Sequence, residues 1–226
     1  MPHLHIVNTM TIKGLHTTIL TLLLCIISCN RAGDGFTAEE LALINGADSI
    51  MRVLTIEEAA DSAVLRAASS DLSAEALLSA DFERLAELML ATVTHPSQDG
   101  VGIAGPQVGI NRRVVAVQRF DKEPVEWGGH TDHPFEVYAN IKIVWKSEDL
   151  RPGPEGCLSV PDRREIVLRS SEIVIEYTDM KALKQGESSR AETLLPTVRD
   201  TVSGFTAVIF QHEIDHLDGM LYIDRL

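Results

Sequence analysis

The most constraining feature of this sequence is the stretch Gln211–Gly219, which consists of Gln-His-Glu-Ile-Asp-His-Leu-Asp-Gly. Because a helical turn takes 3.6 residues, His212 and His216 lie one turn apart on the same side of a helix, where two imidazoles can bind one metal ion. Glu213 lies beside them, where a carboxylate can take a proton from metal-bound water. The stretch therefore predicts a helix that carries a metal centre. The alternative is an amphipathic helix with two hydrogen-bonded histidines.

Residues on either side of this stretch predict the limits of the helix. Asp200 or Thr201 is suited to cap its start, and Gly219 is a typical residue for its end. An apolar face that includes Phe205 and Ile209 continues through the two histidines. We therefore expect the helix to pack one side into the protein core.

A catalytic metal site of this kind needs three protein ligands and an open position. No histidine follows His216, so the third ligand is expected upstream. Cys157 is the best candidate, because a thiolate is a strong metal ligand and a neighbouring glycine and short extended run let the sulfur point outward. The backbone N–H of Leu158 would stay free in that conformation. The alternative is that Cys157 is a small buried hydrophobic residue.

The composition of the whole chain limits the possible classes of function. With 226 residues, of which 45% are apolar, the chain can bury one good core, and we assign residues 50–226 to one catalytic domain. A formal charge of −13 argues against nucleic acid as a partner. The three cysteines offer no paired disulfide framework.

The N-terminal residues have the pattern of an export signal. Lys13 precedes an uncharged apolar run at 17–27, which is too short to span a bilayer but suits the apolar part of a signal peptide. The run leads into Cys29 in a sequence that resembles the lipobox of bacterial lipoproteins. We therefore expect a signal peptide at 1–29, a lipid anchor on Cys29, and a polar tether at 30–49. The alternatives are a buried N-terminal helix or a start at Met10 or Met51, the last giving a cytoplasmic protein.

Periodicity in the middle of the chain predicts one long helix and several strands. The helix lies between Leu72 and Val93, with Ser79 or Asp81 near its start. The predicted strands are Arg113–Phe120, Val137–Trp145, Glu165–Arg169, Glu172–Tyr177 and an edge strand at Thr193–Val198, with polar loops at 121–136 and 181–192. His95, His130 and His133 are expected to be solvated rather than metal ligands.

A glycine-rich run at 99–109 has too many small residues for a regular helix, and its composition is also unfavourable for a strand. A phosphate-binding loop is excluded, because a helix rather than a strand precedes the run and no Lys-Ser or Lys-Thr pair follows it. Its missing side chains would let another backbone come close. Gln107 is the polar group that such a loop would present.

Three motifs in this order resemble those of the peptide deformylases. The family patterns GxGLAAxQ, EGCLS and HExxH correspond to Gly100–Gln107, Glu155–Ser159 and His212–His216. Ile103 and Gly105 depart from the first pattern. The resemblance implies an α+β fold in which antiparallel β-sheets pack around the central helix that carries HExxH.

The resemblance also implies a reaction and a cofactor. Cys157, His212 and His216 would hold one divalent metal ion, Fe(II) in the family, with zinc, nickel or cobalt as replacements. The substrate would be the N-terminal formyl-methionine of a polypeptide, with formate as a product. Glu213 would transfer the proton, while the Gln107 amide and the Leu158 N–H would stabilise the oxyanion.

By position in the family, the substrate would be held by residues from several segments. The peptide would add as a strand beside the backbone of Gly102 and Gly156, as in other strand-addition complexes. The resemblance places Val101, Phe205 and Val208 around the methionine side chain and Arg164 near the substrate. The partners would be formyl-methionyl peptides or nascent chains, and a monomer is expected. If the export signal is used, the substrates would be formyl-peptides outside the cytoplasm.

Two other functions remain open from the sequence. A zinc endopeptidase shares HExxH but gives no role to Cys157 or Gln107. The other alternative is an exported relative that binds formyl-peptides without catalysis.

Overall fold

The computed structural model describes residues 34–98, 100–127, 130–186 and 195–226. The predicted signal peptide and the lipobox cysteine Cys29 lie outside the described residues. No helix in the described part of the chain has both the length and the apolar character needed to cross a membrane.

The described chain combines short helices with antiparallel sheets. The helices are α1 Ala38–Gly46, α2 Ala59–Leu65, α3 Ala74–Leu77, α4 Ala80–Val93, α5 Met180–Lys184 and α6 Gly204–Leu217, with 3-10 turns at Gly105–Val108 and Tyr222–Arg225. The strands are β1 Gly102–Ala104, β2 Val114–Gln118, β3 Val125–Trp127, β4 His130–Asp132, β5 Phe135–Ala139, β6 Lys142–Lys146, β7 Leu150–Cys157, β8 Val160–Ser170, β9 Glu172–Thr178 and β10 Thr197–Ser203. They form sheets in the orders β1-β2-β5, β10-β9-β6, β3-β4 and β7-β8. The predicted α+β class is confirmed.

Helix α6 lies at the centre of the packing. Its apolar side chains share one buried cluster with residues of the β1-β2-β5 and β10-β9-β6 sheets, among them Val115, Val117, Ile173, Ile175, Val202, Ile209, Phe210 and Ile214. The prediction of a central helix that carries the two histidines is therefore confirmed. A second cluster, built mainly from α3, α4, β1 and β2, covers the other side of the β1-β2-β5 sheet.

The predicted start of α6 is wrong, whereas its predicted end is confirmed. Asp200 and Thr201 belong to β10, which continues its pairing with β9 as far as Ser203. Gly204 then turns the chain into the helix with a φ of 63°, a conformation that favours glycine. At the other end, Gly219 has a φ of 72° and follows the last helical turn.

Several other predicted boundaries change in the structure. The helix predicted before Val93 is α4, and Ser79 caps it by accepting a hydrogen bond from the Phe82 N–H. The single strand predicted at Val137–Trp145 is two strands, because Asn140 takes a φ of 54° between them and its side chain bonds to Leu72. Part of the glycine-rich run forms β1 and a 3-10 turn, and the edge strand is β10, later than predicted.

The predicted polar tether is wrong for residues 38–46, which form α1. Thr37 and Glu40 make a reciprocal capping box at its start, and Ile44 is buried in the core. Glu40 also forms a buried ion pair with Arg112, with the Nε–Oε2 distance 2.9 Å. The small and polar composition of this segment conceals a helix that is held to the domain by a buried apolar side chain and a buried charge pair.

We expect Glu40→Gln to lower the free energy of unfolding by about 3 kcal/mol, the lower end of the range for removing one partner of a buried ion pair. The lower end applies because Arg112 keeps its hydrogen bond to Ser70. Urea unfolding measures the change, and the exposed neighbour Glu39, as Glu39→Gln, is the matched control. Equal loss in both variants would contradict a specific role for the pair.

Candidate active site

Helix α6 and the β7-β8 hairpin together bring the three predicted ligand residues to one place. His212 and His216 project from successive turns of α6, with ring centroids 5.1 Å apart. The hairpin turn places the Cys157 Sγ atom 3.2 Å from the Nε2 atom of His216. The candidate ligand atoms of the three residues all lie within 4.8 Å of one another. Among the described residues, this is the group of His, Cys, Asp and Glu side chains that is arranged to hold a metal ion.

Cys157 is oriented by an irregularity at the end of β7. The register with β8 shifts between Gly156 and Cys157, and a tight turn through Leu158 and Ser159 follows. The Ser159 N–H donates to the Cys157 sulfur at 3.4 Å. The N–H of Leu158 has no acceptor among the described residues, because it falls in the turn between the paired strands.

Gln107 is held by the 3-10 turn that follows β1. Its Oε1 atom accepts a hydrogen bond from the Ala104 N–H at 2.8 Å, which leaves the amide nitrogen facing Ser159 Oγ at 3.3 Å and Cys157 Sγ at 3.6 Å. At Gly105, one of the two departures from the family pattern, a Cβ atom would lie 2.5 Å from the Ile110 carbonyl oxygen. Close backbone packing therefore favours glycine at this position.

Glu213 is buried beside the two histidines, in contact with β1. A Cβ atom on Gly102 would lie 2.5 Å from the Glu213 Oε1 atom, so the glycine provides the space that the carboxylate occupies. The Glu213 Oε2 atom is buried and has no hydrogen-bond partner among the described residues. Burial raises the pKa of Glu213 to about 7. Such a carboxyl group can both accept and release a proton near neutral pH.

A chain of buried charges that the sequence analysis did not predict supports His212. The Nδ1 atom of His212 lies 2.8 Å from Glu155 Oε2, and Arg169 donates to both oxygens of the same carboxylate at 2.7 and 2.9 Å. Arg169 also donates to Asp215 at 2.5 Å, and Arg225 bonds to both oxygens of Asp215. We call the series His212, Glu155, Arg169, Asp215 and Arg225 the ionic chain. It fixes one ring nitrogen of His212 and leaves the other for a ligand.

The electrostatics differ between the two histidines of the site. Burial opposes ionisation of Glu155, but hydrogen bonds from Arg169 and His212 lower its pKa to about 2. Burial also opposes protonation of His212, yet hydrogen bonds to Cys157 and Glu155 raise its pKa to about 10. Burial lowers the pKa of His216, so its ring stays neutral. One sulfur and two imidazoles form a donor set that fits a divalent transition metal.

Glu155, Cys157, His212 and Glu213 line a cavity of about 790 Å³. All six residues predicted to bind substrate also line it, together with the predicted oxyanion donors, namely Val101, Gly102, Gln107, Gly156, Leu158, Arg164, Phe205 and Val208. Phe205 is more than half exposed and its ring packs against Phe120, with ring centroids 5.2 Å apart. The cavity is large enough to hold a short peptide with its end beside the candidate ligands.

The rings of His133 and His95 have partners outside this group. The ring of His133 bonds to the Lys122 carbonyl oxygen at 2.9 Å and packs against Phe120. The ring of His95 bonds to Ser97. His130 lies in strand β4, in a different sheet from the β7-β8 hairpin.

Comparison with known proteins agrees with this geometry. Residues 51–226 match the family described as polypeptide deformylase. The chain is 33% identical over 163 residues to the peptide deformylase of Leptospira biflexa, covering 72% of this chain and 82% of that protein. The chain belongs to the peptide deformylase family.

Solved structures of peptide deformylases have the same fold. The Met-Ala-Ser-bound class I type b peptide deformylase from Acinetobacter baumannii superimposes with a TM-score of 0.61 at 30% identity, covering 78% of this chain and 98% of that one. An actinonin-bound structure of the Acinetobacter baumannii enzyme has a TM-score of 0.61 and 30% identity. Peptide deformylases are metal-dependent hydrolases that remove the formyl group from N-terminal formyl-methionine, and this chain is such an enzyme. The alternatives of a zinc endopeptidase and a non-catalytic relative are set aside.

Proposed function

We propose that Cys157, His212 and His216 hold one divalent cation in this peptide deformylase, with Fe(II) as the resident metal and zinc, nickel or cobalt as replacements. The convergence of their ligand atoms within 4.8 Å is the observation that carries this proposal. The cation, when bound, supplies a Lewis acid for the formyl group and for water. The ionic chain supports the assignment, because outer partners of this kind orient ligating histidines.

The remaining polar groups act on the formyl amide directly. Glu213 accepts a proton from the attacking water and delivers it to the leaving nitrogen, so that formate and a free amine are released. The Gln107 amide and the Leu158 N–H donate to the formyl oxygen as negative charge develops on it. The Gln107 hydrogen bond from Ala104 supports this role, because it aims the amide nitrogen towards the site before substrate binds.

The substrate groups follow from the lining of the cavity. Val101, Phe205 and Val208 provide apolar surface for the methionine side chain. Gly102 and Gly156 both line the cavity, and an extended peptide can pair with their backbones as an added strand. Arg164 lines the same cavity and is exposed, which suits a contact with the peptide beyond its first residue.

The proposed function is tested by formate release from formyl-Met-Ala-Ser, with protein purified anaerobically and bound metal determined on the same sample. We expect formate and free amine in equal amounts and about one metal ion per chain. Fully metal-loaded protein that releases no formate would contradict the proposal. Loading the metal-free protein with each candidate metal in turn identifies the cation that best supports turnover.

We expect Glu155→Gln to weaken metal binding by about 10–100-fold, because Glu155 holds His212. Competition with a chelator measures the change, and added metal is expected to restore part of the activity. Glu165→Gln is the matched control, since Glu165 pairs with Glu155 across the hairpin and is partly exposed. A Glu155→Gln variant that retains metal as wild type does would remove the proposed role of the ionic chain.

We propose further that the protein is anchored by a lipid on Cys29 and acts on formyl-peptides outside the cytoplasm. The apolar run at 17–27 before Cys29 supports this localisation. The Met51 side chain is buried, and its backbone N–H donates to Thr92 Oγ1 at 2.9 Å. A start at Met51 would place a charged amino terminus at this buried position and would remove α1. Both consequences count against that start. Membrane fractionation with N-terminal mass spectrometry tests the proposal. Unlipidated protein in the cytosolic fraction would overturn it.

A further inference from the structure

The β7-β8 hairpin exposes an apolar face that catalysis at the metal centre does not require. Strand side chains alternate between two faces, and paired residues share a face. Pro154 pairs with Ile166 and Pro152 pairs with Leu168, so these four side chains and Leu150 lie on the same face. We call Leu150, Pro152, Pro154, Ile166 and Leu168 the outer stripe.

The outer stripe reverses the usual distribution of polar and apolar residues. The opposite face of the hairpin buries the charged residues Glu155 and Arg169. On the outer stripe, Ile166 is 63% exposed, Leu168 is 58% exposed and Leu150 is 52% exposed. Single exposed apolar residues are ordinary, but a contiguous exposed row marks a surface that binds a partner.

The outer stripe begins at the wall of the active-site cavity. Pro154 belongs both to the stripe and to the cavity lining, and the next pair towards the turn, Gly156 with Arg164, lines the cavity as well. At 3.3 Å per residue, the row from Gly156 to Leu150 extends about 20 Å from the cavity, which matches about six residues of an extended peptide. Within the described chain, β7 and β8 pair with no third strand, and side chains of Gln211 and Tyr222 bond to backbone groups near the two ends of β8.

We propose that the outer stripe binds the substrate chain downstream of the cavity, and that the enzyme selects formyl-polypeptides with apolar residues after about the third position. This inference rests on the proposed function and names its substrate class. Continuity with the cavity favours a peptide, since a substrate longer than the cavity must leave along one of its walls. The chain's formal charge of −13 disfavours an anionic lipid surface as the occupant.

The test compares two formylated peptides of about ten residues, which is long enough to span the cavity and the stripe. Both begin with formyl-Met-Ala-Ser, and one continues with leucine and valine while the other continues with serine and threonine. We expect kcat/KM to be at least about tenfold higher for the apolar peptide, mainly through KM, which corresponds to about 1.4 kcal/mol. The double variant Ile166→Ser with Leu168→Ser is expected to reduce this preference to less than about twofold.

The controls separate the failure of this inference from failure of the proposed function. The double variant should turn over formyl-Met-Ala-Ser as wild type does, and a second double variant, Leu78→Ser with Val125→Ser, removes exposed apolar residues elsewhere and should keep the preference. Wild type that turns over the tripeptide but treats both long peptides alike would overturn the inference alone. If the Ile166→Ser with Leu168→Ser variant keeps the peptide preference but loses binding to phosphatidylcholine vesicles, the occupant is a lipid surface and the inference is overturned. If the variant keeps the preference but loses self-association in size-exclusion chromatography, the occupant is a second copy and the inference is likewise overturned.

Discussion

Glu213→Gln is expected to lower kcat for formyl-Met-Ala-Ser by about 10²–10⁴-fold, the usual contribution of a positioned acid-base group. The amide has nearly the shape of the carboxylate but cannot accept the proton that must leave water and reach the amine. Bound metal should be retained, because Glu213 is not one of the three converging ligand residues. Steady-state formate release and metal content on the same preparation measure both effects.

The fold should not suffer from this substitution. Burial raises the pKa of Glu213 to about 7, so the folded metal-free protein holds this proton where the unfolded chain has lost it. Stability is therefore lost as pH rises from the unfolded pKa through about 7, and Glu213→Gln should be at least as stable as wild type at pH 8. Asp162→Asn is the matched control, since Asp162 is an exposed carboxylate that also lines the cavity. Unchanged turnover by Glu213→Gln would refute the proton-transfer role.

Cys157→Ala is expected to weaken metal binding by more than about 100-fold and to abolish turnover, since removing even an outer partner of a ligand costs 10–100-fold. The sulfur lies 3.2 Å from His216 Nε2, and its loss leaves two imidazoles to hold the cation. Metal analysis after chelator treatment measures the loss. If the half-buried sulfur had only a structural role, alanine would be tolerated, and both metal binding and turnover would be retained.

Cys157→Asp distinguishes a ligand from a packing residue. A carboxylate restores an anionic donor, so Cys157→Asp should bind metal more tightly than Cys157→Ala, although more weakly than wild type. If Cys157 were only a small apolar side chain, the charged substitution would be the more harmful of the two. If Cys157→Asp retained less metal than Cys157→Ala, the proposed ligand role would therefore be contradicted.

The parts of this protein that follow from local patterns could be predicted, and the parts that depend on distant pairing could not. The 3.6-residue spacing of His212 and His216 and the glycine at 219 define most of α6. The three motifs gave the residues that the structure brings together around the cavity. Each motif has chemically distinctive residues at fixed short spacing, which is why it is recognisable without a structure.

The missed features depend on contacts between separate segments. Glu40 looks like a surface acid in a polar segment until Arg112 of another segment is placed against it. Glu155 meets Arg169 only through the register of the β7-β8 hairpin, and Arg169 meets Asp215 only after the hairpin packs on α6. The start of α6 was misplaced because strand pairing carries β10 through Asp200 and Thr201, which local propensity alone would allow as caps.

The ionic chain has a consequence for anyone who engineers this protein. It begins at a histidine of the catalytic centre and ends at Arg225, so the two are joined by an unbroken series of charged contacts. An affinity tag or a fusion partner placed next to Arg225 is therefore connected to the catalytic centre through these ion pairs. Affinity tags should be placed elsewhere, because a tag that disturbs Arg225 is expected to change metal binding and turnover at His212.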